Sequence, residues 1–455
     1  MSGNLQNKFK YFISILISLS FIVVISCDFK GKDVKKESVG LFPISQGGKW
    51  GYIDKKGKIV INPQFDYAGE FSWGLAPAKV GEKSGFIDST GAMVINQKFD
   101  EAYFIASRGL GAVKIGGKWG FIDDKGKMVI NPQFDEVNIF NEGLIAVRSF
   151  GKWGFIDSIG NIVINPQFDE VWLFQEGLAA VNIGGKKVKK DTYSNFEIFE
   201  GGKWGFIDKT GKYVINPQFD DALPFREGLA RIKDHGKYGF IDKTGKYVIN
   251  PQFDVLSHDF SEGLAAVNIG QNTKYPPVWG KWGFIDKTGK YVIDFQYDGA
   301  TPFHEGLAGA CIGECEEFLV KEGARWGFID KTGKFVIGPQ FNLVNDFSEG
   351  MAAVNLIPAN TSDALAMFYG KWGFIDKSGK IIVNPQFDDV WDFSEGFAKV
   401  SVNGKQGLID KTGRIIINPQ FDDVGYFDEG LAKVTIGDKA GYIDKTGKYV
   451  WQPSK

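Results

Sequence analysis

Between Lys49 and Lys455 the chain repeats one pattern of apolar and polar positions eleven times. In the copy GKWGFIDKTGKYVID, from Gly280 to Asp294, two short runs rich in aromatic and β-branched residues, Gly283-Phe284-Ile285 and Tyr291-Val292-Ile293, flank the polar segment Asp286-Lys287-Thr288-Gly289-Lys290. Such runs predict strands, and the segment between them predicts a hairpin loop. Asp286 is placed to cap that turn with its carboxylate, and Gly289 to supply a positive φ. A further apolar run precedes each hairpin, typified by Glu262-Gly263-Leu264-Ala265-Ala266-Val267, and adds a third strand. Trp282 and Phe284 alternate with Ile285, so both faces of the sheet are apolar, and neighbouring units are expected to cover both sides. The proline of Asn384-Pro385-Gln386-Phe387 is expected to end the last strand, because it cannot donate to a ladder.

Taking the glycine of Trp-Gly as the anchor, the copies fall at Gly51, Gly85, Gly120, Gly154, Gly205, Gly239, Gly283, Gly327, Gly373, Gly407 and Gly441, with a basic spacing of 34 or 35 residues. Fixed-period self-similarity signals a repeat array rather than two or three ordinary domains. The expected fold is all-β, a tandem array of eleven three-stranded meanders. Because propellers usually close with four to eight blades, an open, superhelical, solenoid-like array is expected, with a closed propeller-like ring or two propellers as the alternative. The phrase GKWGFIDKTGKYVINPQFD, from Gly202 to Asp220, resembles the bacterial WG repeat, also called the KWG repeat. The resemblance runs from Leu41 to Pro453. It implies a β-rich repeat protein, often exported, with no established catalytic residues to carry over.

The recurring side chains have structural readings. Trp50, Trp119, Trp153, Trp204, Trp282, Trp326 and Trp372 precede the anchor glycine. An aromatic ladder of this kind could bind sugars or choline-like cations, but a core staple is the favoured reading, and the units with Ser84, Gln406 and Ala440 at this position should pack less well. The recurrent turn aspartate is not a calcium motif, since each loop offers mostly lysine and threonine rather than further carboxylates. Aspartate pairs such as Asp220-Asp221, Asp388-Asp389 and Asp422-Asp423 are expected to form a solvated ridge.

Charge and the N-terminus bear on location. With 53 basic and 55 acidic residues the net charge is −2, so no global field favours nucleic acid. Residues 1–26 form a secretory signal, in which Lys8 and Lys10 precede an apolar run from Tyr11 to Ile25. Val24-Ile25-Ser26-Cys27 resembles the lipobox of bacterial lipoproteins, which implies cleavage before Cys27 and acylation of that cysteine; an ordinary cleaved signal or an uncleaved anchor is the alternative. Residues 27–39 are expected to be a flexible tether and 40–455 the repeat array. The expected address is the bacterial cell envelope, lipid-anchored, on the periplasmic face or the cell surface. Cys311 and Cys315 then lie in a disulfide-permissive compartment and are candidates for a local disulfide. A zinc site using this pair and His304 fits poorly, as C-x3-C with one upstream histidine is not zinc spacing, and no metal or cofactor is expected.

Four units are longer, with anchor gaps of 51, 44, 44 and 46 residues after Gly154, Gly239, Gly283 and Gly327. All four insertions enter between the first and second predicted strands and so emerge on one edge, where insertions in repeat arrays commonly form the binding surface. The candidate binding residues are Lys186, Lys187, Lys189, Lys190, Tyr193, Phe196, Tyr275, Trp279, Phe368 and Tyr369. Catalytic constellations are not apparent: His235, His258 and His304 fall in three different units. The function expected is therefore a non-enzymatic binding or scaffold module for a protein or glycan partner, with a structural spacer, or an enzyme with a site in the inserted loops, as alternatives.

Overall fold

The computed structural model describes residues 39–104, 110–189, 197–256, 259–270, 280–313, 315–316, 319–320, 323–357 and 370–454. The signal segment, Cys27, and all of the tether but Val39 lie outside the described residues, as do Lys190, Tyr193, Phe196, Tyr275, Trp279, Phe368 and Tyr369. The described chain forms eleven small antiparallel sheets arranged in a ring as an eleven-bladed β-propeller, plus a two-stranded pair, Cys315–Glu316 with Leu319–Val320, in one insertion, with no helix among the described residues.

Each blade is built as the alternation predicts, with one addition. In blade 7 the strands are Val255–Leu256, Leu264–Ile269, Lys281–Asp286 and Tyr291–Tyr297, in that order across the sheet. The last three are the expected meander. A short first strand, two residues long in seven blades and four or six in the other three, comes from the connection and makes ten of the eleven sheets four-stranded rather than three-stranded; among the described residues the first blade has three. Where it is two residues long it is too short to show any alternation, which is why the sequence pattern does not contain it.

The proline does not end the last strand. In blade 5 that strand runs Tyr213–Phe219 through Pro217, on the sheet edge where a missing N–H costs no ladder bond. It bulges there: Trp204 opposes Phe219 and Phe206 opposes Ile215, so four residues span what two span opposite. The bulged backbone lies on Gly205, where a Cβ would stand 2.5 Å from the Ile215 carbonyl oxygen and 2.6 Å from the Pro217 nitrogen. The recurrent anchor glycine is thus a close-approach glycine.

Hydrophobic cores sit between blades rather than within them. Trp204, Phe206, Ile215 and Phe219 of blade 5 pack on Ala222, Phe225, Ile232 and Ile241 of blade 6, while Ile207 points the other way, into the core shared with blade 4. At seven junctions the strand aromatic meets a ring from the next blade at 4.8–4.9 Å between centroids, as with Phe206 and Phe225 or Phe284 and Phe303. Trp119, Trp153, Trp204 and Trp282 are buried, in line with the staple reading.

Of the arrangements considered from the sequence, an open array, a closed ring or two propellers, the chain adopts the closed ring. Blade 1 packs on blade 11: Phe42, Ile44 and Ile53 share a core with Leu431 and Tyr442. Tyr442 Oη donates to the Pro43 carbonyl at 3.0 Å, the Phe42 and Tyr442 rings meet edge-on at 5.5 Å, and Lys55 pairs with Glu429 at 2.8 Å.

Candidate binding site

Between the last two strands, the turn is the capped loop the sequence implies. Asp286 Oδ1 accepts from the backbone N–H of Thr288 at 2.8 Å and of Lys290 at 3.1 Å, and from the Thr288 hydroxyl at 2.6 Å. The Thr288 hydroxyl first, then these backbone donors, hold the Asp286 carboxyl below its usual range. Gly289 has φ +83°.

The connection aspartates do more than form a solvated ridge. Lys405 Nζ donates to Asp422 at 2.6 Å, and Asp422 also accepts from the Gly437 N–H at 2.6 Å, capping the turn between the second and third strands of blade 11. Lys203 and Asp220 are joined in the same way at 2.6 Å. The lysine of Lys-Trp-Gly and the aspartate of Phe-Asp thus form one device, bridging blade to connection across 17 residues.

A second device runs from blade to blade. The two-residue turn between the first and second strands carries a glutamate and a glycine, both at positive φ; Glu262 has φ +50°. A left-handed glutamate is unfavourable, and its side chain shows what is gained. The Glu262 carboxylate accepts from the N–H of Gly306 in blade 8 at 3.1–3.2 Å and pairs with Lys331 of blade 8 at 3.1 Å, while Lys331 also donates to the Glu262 carbonyl at 3.0 Å. Burial alone would raise the Glu262 carboxyl, but Lys331 and the Gly306 N–H outweigh it and hold it low. The same clasp joins Glu142 to Lys209, Glu176 to Lys243, Glu227 to Lys287, Glu305 to Lys377, Glu349 to Lys411, Glu395 to Lys445 and, across the seam, Glu429 to Lys55. Where the sequence replaces the glutamate, by Val39, Trp73 and Arg108, it also replaces the lysine after the next unit's turn aspartate, by Ser89, Asp124 and Ser158.

The inserted segments all leave the ring at the hairpin between the second and third strands. In blade 5 this hairpin lengthens into a ribbon, Ala179–Lys189 paired with Glu197–Ile207, with Lys186 opposite Glu200 and Lys187 opposite Phe199. Lys186 and Lys187 are exposed, and Lys189 stands at the described end of the ribbon. The necks share a feature that the expectations missed. Asn182, Asn268 and Asn355 are buried at the base of three insertions, where blades with tight turns have Lys79, Lys114, Arg148, Lys233, Ser401 or Thr435. Asn182 Nδ2 donates to the Gly201 carbonyl at 3.2 Å and its Oδ1 accepts from the Gly185 N–H at 3.1 Å; Asn268 Nδ2 donates to the Gly280 carbonyl at 2.7 Å. The signal was present as asparagine in the long units alone. In the fourth long unit Cys311 takes the position and is bonded to Cys315, with Cα atoms 6.5 Å apart.

The histidines stay apart from these cysteines. His304 Nε2 lies 3.4 Å from Asp346 Oδ2, His235 pairs with the adjacent Asp234, and His258 is outside the described residues. No cluster of three or more metal-ligating side chains occurs among the described residues.

A cleft of about 450 Å³ opens at the seam. Its walls are Val39, Leu41, Phe42 and Pro43 of blade 1, Glu70 and Phe71 of blade 2, and Tyr426, Asp428, Glu429, Leu431, Lys433 and Tyr442 of blade 11, with Gly425. It lies beside blade 1, which among the described residues has three strands rather than four.

Fold and rim define a closed ring of tandem β-blades decorated on one hairpin position. The chain belongs to the family of WG containing repeats, whose model matches it in ten segments, 50–83, 85–119, 119–153, 153–186, 204–238, 238–272, 282–314, 326–356, 372–405 and 407–439. No curated protein matches it. Among solved structures, a eukaryotic initiation factor is 10% identical over 77% of this chain and 98% of its own, with a TM-score of 0.43. AztD from Citrobacter koseri is 13% identical over 91% of this chain and 95% of its own, with a TM-score of 0.26. At these identities and scores the likeness carries no functional content.

Proposed function

We propose that this ring is a non-enzymatic binding or scaffold module of the bacterial cell envelope, anchored by an acyl chain on Cys27, which presents its inserted hairpins to a protein or glycan partner. The observation behind this reading is that four insertions, in blades 5, 7, 8 and 9, leave the ring at one hairpin position, each from a neck carrying a buried asparagine or the Cys311–Cys315 bond. A rigid ring with variable loops on one edge is the arrangement that places recognition residues without burdening the core.

The test replaces the four insertions by the two-residue turn of blade 3, Gly116-Gly117, in a Cys27→Ala background so that no acyl chain contributes. Retained thermal unfolding with lost retention on isolated cell envelopes is the expected result. Unchanged retention would remove the insertions from the function. Separately, intact protein should fractionate with membranes and the Cys27→Ala protein should not; membrane fractionation by both would refute the anchor.

A further inference from the structure

We propose that the wedge between blades 6 and 7 is a binding site for an acidic sugar, held through its carboxylate by Arg226 and Arg231 and through a hydroxyl by Asp259. It is separate from the inserted hairpins and does not depend on their role. Blade 6 departs from the repeat at this place. On its second strand, Ala230–Asp234, Arg231 pairs with Phe240. At the same register five other blades carry alanine: Ala112, Ala146, Ala180, Ala266 and Ala353. Tyr238 likewise stands where seven blades have tryptophan. The Arg231 guanidinium lies over the Tyr238 ring at 5.6 Å from its centroid, and Lys233 Nζ at 4.9 Å. Stacking fixes the guanidinium plane and leaves its N–H edge available.

Both arginines converge on Asp259, in the connection of blade 7. Arg226 Nε is 4.0 Å from Asp259 Oδ2 and Arg231 Nε is 3.9 Å from Oδ1, near enough for charge but too far for hydrogen bonds. Asp259 Oδ1 is buried and has no hydrogen-bond partner among the described residues. The equivalent Asp392 of blade 10, by contrast, accepts from Asn345 Nδ2 at 3.3 Å. The Arg231 and Asp259 side chains are only 19% and 21% exposed, so unmatched donors and acceptors here are costly to the fold alone. Arg226, Arg231 and Lys233 stand against Asp259 and Asp221, and burial raises the Asp221 carboxyl against the pull of Arg231 and Lys233. The excess is positive, so the ligand is an anion, and a planar carboxylate suits the guanidinium fork. The unmatched acceptor on Asp259 calls for a hydroxyl on the same ligand. An acidic sugar carries both groups.

Ligand-observed NMR titration of the full chain with D-galacturonate, beside neutral D-galactose and acetate, tests the site. Saturable galacturonate binding at one per chain is expected, weakened about tenfold or more by Arg231→Ala or Arg226→Gln, since bonds to charged groups are the strong ones. Because alanine is what five blades carry at this register, Arg231→Ala should unfold at the parent's temperature or above it. The sugar has two sources, a free uronate or a uronate residue within a glycan, and trigalacturonate separates them. Tighter binding of the trimer supports the glycan, and equal binding supports the free sugar. No saturable binding, galactose or acetate binding as tight as galacturonate, or indifference to both arginine substitutions would overturn the proposal. So would a clearly lower unfolding temperature of Arg231→Ala, which would make the arginine a brace of the fold.

Discussion

The blade-to-blade clasp makes a quantitative prediction. Glu262→Gln keeps the side-chain length and the left-handed backbone, so local strain cancels, but it removes the charge that Lys331 meets at 3.1 Å and weakens the acceptor of the Gly306 N–H. The lysine and glutamate side chains are 44% and 31% exposed, which places the ion pair in the range of about 0.2–1 kcal/mol measured for exposed pairs. Weakening the Gly306 bond adds a contribution of similar size, up to about 1 kcal/mol. Glu262→Gln should therefore destabilise the ring by about 0.5–1.5 kcal/mol, and Lys331→Met by about 0.5–1 kcal/mol, since methionine also loses the bond to the Glu262 carbonyl. The double variant should cost less than the sum, with a coupling of about 0.5 kcal/mol. Urea unfolding of the four proteins gives that coupling, and repeating it in 1 M salt should shrink it, because the screening length falls to about 3 Å. A parallel cycle at Trp73 and Asp124, where no clasp exists, should show no such salt-sensitive coupling. Strict additivity at Glu262 and Lys331, or a coupling unchanged by salt, would refute the clasp as an energetic link between blades.

Two further predictions follow from local geometry. Gly205→Ala sets a Cβ 2.5 Å from the Ile215 carbonyl oxygen, with backbone on both sides, so it should destabilise by several kcal/mol, on the order of a strongly overpacked site, and lower the thermal midpoint clearly more than Ala substitution of the solvent-facing Lys290. Stability should also fall on acidification: Asp286, Asp422 and Glu262 have carboxyls held below their usual values in the fold, so their contribution is complete above the unfolded-state values near pH 4 and is lost as pH drops through the lowered ones. Urea midpoints should decline below about pH 4; a rise in stability there would contradict this sign.

What the sequence displayed and what it concealed divide along physical lines. The capped turn at Asp286 and Gly289 was legible because every bond in it is local. The second to fourth strands were legible because alternation and β-branched content mark them. The two-residue first strand was not, since Val255–Leu256 is recognisable only by its pairing with Asn268 and Val267. Pro217 misled because proline ends most strands, and only the edge position and the bulge over Gly205 show why this one does not. The clasp lay half visible: glutamate and lysine recur in eight units each and lapse together, but their meeting requires knowing that one blade's first turn lies over the next blade's last hairpin. In the insertions, Lys186 and Lys187 lie on a paired ribbon where the sequence suggested a loop, while Asn182, Asn268 and Asn355 passed unremarked because an asparagine after Ala-Val reads as an ordinary strand residue. The seam cleft depends on bringing Phe42 to Tyr442 across the ring, and nothing in either segment announces the other.

Closure of the ring is the claim on which the seam, its clasp and its cleft all depend. Spin labels at Lys56→Cys in blade 1 and Lys448→Cys in blade 11, in a Cys27→Ala background with Cys311 and Cys315 left bonded, test it by electron–electron dipolar distance measurement. Both sites are exposed, and Gly57 beside the first packs on the Val450 backbone beside the second. A closed ring predicts one short distance, of the order of neighbouring sheets packed about 10 Å apart plus the label linkers. Eleven blades stacked in an open array would hold the labels roughly 100 Å apart, and the absence of a short distance would contradict the ring.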